Sequence, residues 1–132
     1  MNIIQFFTTQ GWQKLGAAPK AVQYLSDSTG TATITPNTDT YQYYELLETG
    51  IAGTITIAND TATTASLAKN KRSMMITAQT TNAMTLVFGT NYIGGLLPLP
   101  TTTTGGTKED NYTFLWSKYY SKWEYTGIAP GF

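Results

Sequence analysis

An all-β fold is predicted by three features of the sequence. Threonine, stiff at χ1 and suited to the polar face of a strand, makes up about a fifth of the residues. Short apolar runs alternate with polar positions at a period of two, and Gly, Pro, Asn and Asp clusters punctuate them. At 132 residues the chain fits one domain, and 41% hydrophobic with 13% aromatic residues supplies a core. The expected architecture is an antiparallel β-sandwich, jelly-roll-like, spanning residues 21–132, with an extended N-terminal arm over residues 1–20.

The arm is read from its punctuation. Gly11, Gly16 and Pro19 prevent a long regular element, while Phe6, Phe7 and Trp12 require burial, either against a partner or back in the domain's own core. Val22–Leu25 is the first candidate strand, closed by Ser26-Asp27-Ser28-Thr29-Gly30. Thr31–Thr35 follows and ends at Pro36-Asn37, then Tyr41–Glu48, then Ile51–Ile57 after the break at Thr49-Gly50. Met74, Ile76 and Ala78 share one parity, and Met84, Leu86 and Phe88 share another across Thr80-Thr81-Asn82, so Met74–Phe88 is expected to be a hairpin. Tyr112, Phe114 and Trp116, followed by Trp123 and Tyr125 across Ser117–Lys122, make a second hairpin. Between the two, Asn91–Asp110 carries Gly94-Gly95, Pro98, Pro100, four consecutive threonines and Gly105-Gly106, and reads as a long loop. No internal repeat or heptad pattern is evident. The predicted core is Ile55, Ile57, Met74, Ile76, Met84, Leu86, Phe88, Phe114, Trp116, Trp123 and Tyr125.

Composition excludes much chemistry. The sequence has no cysteine and no histidine, which removes disulfides, thiolate metal sites, Cys nucleophiles and imidazole bases. Carboxylates cluster only at Glu45/Glu48 and Glu109/Asp110, pairs that any solvated β-face offers. Asp27, Asp39 and Asp60 are spaced as turn residues, not as a calcium loop. No enzyme activity, cofactor or metal is therefore expected. A formal net charge of zero lacks the field of a nucleic-acid or acidic-membrane binder. No apolar stretch is long enough to span a membrane, and the N-terminus lacks the pattern of a signal peptide, so synthesis in the cytoplasm is expected. Lys69-Asn70-Lys71-Arg72, the one basic cluster, reads as a solvated turn. Tyr119 and Tyr120, at the tip of the second hairpin, are candidate exposed contacts able to anchor a protein interface or stack on sugar rings.

From Ile55 to Phe132 the chain includes "MMITAQTTNAMTLVFGTNYIGGLLPLPTTTTGG" and then "EDNYTFLWSKYYSKWEYTGIAPGF". This run resembles a small β-sandwich module of bacteriophage head-fibre, capsid decoration and tail-fibre proteins. The matching features are a hairpin with a terminal aromatic (Met74–Phe88), a Leu-Pro/Thr-rich loop (Leu97–Thr104), a strand (Tyr112–Trp116) and Lys122-Trp123 leading into a last strand (Lys122–Gly127). At the entry to the first hairpin, Leu67-Ala68-Lys69-Asn70-Lys71-Arg72 departs from that module's usual Gly/Gln-Lys-Leu. The resemblance implies a structural role in the virion, made in the host cytoplasm, and a homo-oligomer, commonly a trimer. The small size favours a capsid decoration or head-fibre subunit docking on capsid protein through Phe6, Phe7 and Trp12. A tail-fibre or baseplate component is the alternative within that class. A carbohydrate-binding module recognising host glycan through exposed aromatics is the rival from another class.

Overall fold

The computed structural model describes residues 21–63 and 72–129, which form strands, turns and loops with no helix. The strands are β1 (Ala21–Asp27), β2 (Thr31–Ile34), β3 (Tyr41–Glu48), β4 (Thr54–Ile57), β5 (Ser73–Thr80), β6 (Thr85–Phe88), β7 (Tyr92–Ile93), β8 (Lys108–Ser117) and β9 (Lys122–Ala129). The arm residues Phe6, Phe7 and Trp12 lie outside the described residues, as do Lys69, Asn70 and Lys71.

The chain crosses repeatedly between two sheets. One has six strands in the order β1-β3-β5-β8-β9-β7, the other three in the order β2-β4-β6. Successive strand pairs β1/β2, β3/β4 and β5/β6 are thus turns of a coil, each stacked parallel on the one before. The backbone ladder continues around the corners. Thr54 N–H donates to Gly30 O at 3.0 Å and Thr85 N–H to Gly53 O at 2.9 Å, while at the opposite corner Ala58 and Gly89 donate to Ile34 O and Ile57 O, each at 2.8 Å. The described residues therefore build a three-turn parallel β-solenoid.

Stacking aligns like with like. In the smaller sheet Ala32, Ile55 and Leu86 form one inward column and Ile34, Ile57 and Phe88 the next; Leu25, Leu46 and Ala78 do the same in the larger sheet. Inward side chains of both sheets fill one core, headed by Trp123, Tyr44, Tyr112 and Phe114. Of the side chains predicted to be in the core, all are buried except Phe88, which is partly buried and packs against it.

The coil ends in a cap. The chain reverses so that β8 pairs antiparallel with β5, while Thr101 and Thr103 bond antiparallel to β6 through Leu86 N–H to Thr101 O (2.8 Å) and Thr103 N–H to Met84 O (2.9 Å). Buried Thr103 secures the joint, its Oγ1 accepting from Met84 N–H at 2.9 Å and lying 2.9 Å from Thr80 Oγ1. At the first turn, β1 and β2 are paired on one side only among the described residues.

Four expectations need correction. The all-β class and a core between two sheets hold, but five of the seven strand pairings are parallel, which is not the antiparallel order of a jelly roll. Met74–Phe88 is not a hairpin: β5 and β6 lie in different sheets, and both edges of β5 are occupied, by β3 and β8. Alternation fixes which face of a strand is buried but not which strand is its neighbour, so it reads the same for a hairpin and for a corner. Ile51 is 76% exposed in a corner, and the strand begins only at Thr54. The hairpin β8/β9 is as expected, closed by the turn before Lys122. The stretch Asn91–Asp110 is less of a loop than its prolines suggest, since it holds β7, the capping threonines and the start of β8.

Candidate functional site

The exposed aromatic pair stands at the tip of the β8/β9 hairpin. Tyr119 is 87% and Tyr120 57% exposed, their rings edge to face with centroids 4.8 Å apart. The tip closes through Ser121, whose φ of +52° lies in the left-handed region, and Tyr120 N–H donates to Ser117 Oγ at 3.3 Å. Behind it, the strands bury Trp116 and Trp123 edge to face at 5.6 Å. A hairpin paired along its length therefore carries two aromatic side chains into solvent.

Beside the tip lies an open groove of about 470 Å³. Tyr120, Leu96 and Ile93 supply its apolar lining, and Lys122 and Glu124 its charged groups. Lys122 and Glu124 are two residues apart on β9 and so share a face, with Ile93 of β7 in register beside Glu124. The segment after β7 turns tightly, Gly95 N–H donating to Leu97 O at 3.0 Å. It lies so close to β9 that a Cβ on Gly95 would sit 2.8 Å from both Glu124 Oε1 and Tyr125 O. That turn leaves Leu96 fully exposed and Leu97 half exposed. Neither the Lys122 nor the Glu124 side chain has a hydrogen-bond or ion-pair partner among the described residues. The tyrosines were legible as contacts in the sequence, but the groove was not, because only the β7–β9 pairing brings Leu96 beside Lys122 and Glu124; Gly94-Gly95 is the one sequence signal of that close backbone approach.

The acidic residues are dispersed by the fold. Glu45 is exposed and Glu48 fully buried, on opposite faces of β3, so this pair does not converge on a cleft. Asp110 is buried and structural, accepting from Thr104 N–H and Thr104 Oγ1 at 2.6 Å each and from Tyr112 OH at 3.3 Å. Asp27 and Asp60 bond the backbone two residues on, at Thr29 and Ala62, as turn residues do. Asp39 forms an ion pair with Arg72 at 2.8 Å. Among the described residues, no three acidic side chains gather as a metal site would require.

Glu48 itself is unusual. It stands beside Asp27 in the β1–β3 register, and its Oε1 accepts from Gly50 N–H at 2.7 Å and Gly30 N–H at 3.4 Å. Its Oε2 is buried with no conventional donor. Burial, then the hydrogen bond shared with Asp27, raises the Glu48 pKa, while that bond and those from Thr29 lower the Asp27 pKa. The two carboxyls are coupled in opposite directions, so Glu48 is the one held toward its neutral form. Burial likewise pushes the phenols of Tyr44, Tyr92 and Tyr112 up, keeping them neutral donors. Tyr92 OH donates to Ala58 O at 2.8 Å and Tyr44 OH to Tyr41 O at 3.1 Å.

Compared with known proteins, the chain matches no family model, no curated protein and no solved structure.

Proposed function

We propose that this chain is a non-catalytic structural subunit of a bacteriophage particle, a capsid decoration or head-fibre protein that docks on other virion subunits. The observation that carries this reading is the polarity of the solenoid. One end is closed by β8 and Thr101–Thr103, whereas the first turn offers β1 and β2 with one ladder edge each unpaired among the described residues. Such edges recruit further strands and need a partner or cover. The segment bearing Phe6, Phe7 and Trp12 leads directly into β1, so apolar anchors and open edge belong to the same end of the sequence. The likeness of Ile55–Phe132 to the phage module supplies the particle, and it favours assembly as a homo-oligomer.

Mass spectrometry of purified phage particles before and after removal of their tails tests this. The chain is expected to remain with the heads at a fixed copy number. Loss with the tails would move it to a tail-fibre or baseplate role, and absence from both fractions would refute a virion function.

A further inference from the structure

We infer that the groove between the β8/β9 tip and the segment after β7 binds the pyranose ring of a neutral carbohydrate. Three features on this face select that chemistry. The first is the combination of an exposed tyrosine ring with a concavity of about 470 Å³, within the range of roughly 300–1,000 Å³ typical of small-molecule sites. Tyrosine offers an apolar ring face for the C–H side of a sugar and a hydroxyl for its polar edge.

The second is the charge pattern. Lys122 supplies only donors and Glu124 only acceptors, and neither is engaged by another group among the described residues. A sugar hydroxyl both donates and accepts, so adjacent hydroxyls of one ring satisfy both side chains. An anionic ligand would meet the Glu124 carboxylate and a cationic one the Lys122 ammonium, so either charge is opposed in this groove. A neutral polyhydroxyl compound is opposed by neither.

The third is preorganisation. Glu124 lies on a paired strand against the Gly95 backbone, and Tyr120 sits on a hairpin closed by Ser121 in the left-handed region, so little order has to be gained on binding. The sheet edge nearby is only Tyr92–Ile93, too short to pair an extended peptide.

The test is titration of the ¹⁵N-labelled full-length chain with glucose, galactose, mannose and N-acetylglucosamine in turn, each to about 50 mM, the range that millimolar affinities require. At least one sugar is expected to give saturable shifts centred on Gly95, Tyr120, Lys122 and Glu124. Tyr120→Ala, at an exposed tip position, should leave the spectrum dispersed and weaken that sugar about tenfold. Glu124→Gln and Lys122→Ala should each weaken it severalfold, while Tyr24→Ala, at an exposed tyrosine on β1, should change nothing. Absence of saturable shifts with all four sugars, shifts centred elsewhere, or full affinity in Tyr120→Ala would overturn the inference. So would tighter binding of sulfate than of any sugar at the same residues.

Discussion

Burial of Glu48 beside Asp27 makes the first corner of the coil sensitive to pH. Because the fold raises the Glu48 pKa above its ordinary 4.5, it favours the protonated acid; that stabilisation is complete below about 4.5 and is lost as pH rises through the folded value. Asp27 has the opposite sign. Its pKa is lowered from 3.8, so its contribution is present above that value and is lost as pH falls through the folded one. Stability should therefore be greatest in the acidic range and decline toward neutral pH as Glu48 ionises. Glu48→Gln keeps an acceptor for Gly30 and Gly50 and cannot ionise. Urea unfolding between pH 4 and pH 8 should show the decline toward neutral pH in the native protein and its loss in this variant. An equally steep decline in Glu48→Gln would show that ionisation of Glu48 is not its cause. None of this was legible in the sequence, where Asp27 and Glu48 stand far apart and Glu48 reads as the neighbour of Glu45.

At the scale of the element, faces were legible and neighbours were not. Met74, Ile76, Met84 and Leu86 are buried as their parity requires, and Tyr41–Glu48 is a strand with those same limits. The parallel stacking leaves only a faint trace in the sequence. Thr31-Ala32-Thr33-Ile34, Thr54-Ile55-Thr56-Ile57 and Thr85-Leu86-Val87-Phe88 are three copies of one pattern, in register side by side. The copies are unevenly spaced, because the offset from Leu25 to Leu46 is much shorter than that from Leu46 to Ala78, and a fixed-period search does not find them. The corners are what hold the copies in register. At one of them Gly53 approaches Gly30 so closely that a Cβ would lie 1.8 Å from Gly30 O, a backbone atom that cannot rotate away. Gly53→Ala should therefore cost more than about 2 kcal/mol in denaturant unfolding, well beyond an ordinary Gly→Ala exchange. A cost near zero would mean that the corner yields and that register is set elsewhere.

For the whole molecule, we propose that a solenoid capped at one end docks through the other. The aromatic tip and its groove lie with the capping hairpin, and the proposed anchors Phe6, Phe7 and Trp12 precede the open first turn in sequence, so the proposed attachment and sugar contact fall to different parts of the chain. The assignment of the arm rests on aromatic residues in a Gly-punctuated segment, where truncating a central anchor removes about 2 kcal/mol or more of binding energy. The most direct measurement is particle binding by the chain lacking residues 1–20, with its circular dichroism and unfolding transition recorded alongside. A folded, cooperatively melting domain that no longer associates with particles is the predicted result. A deletion that leaves attachment intact, or one that abolishes the fold because the arm belongs to the domain's own core, would contradict the account.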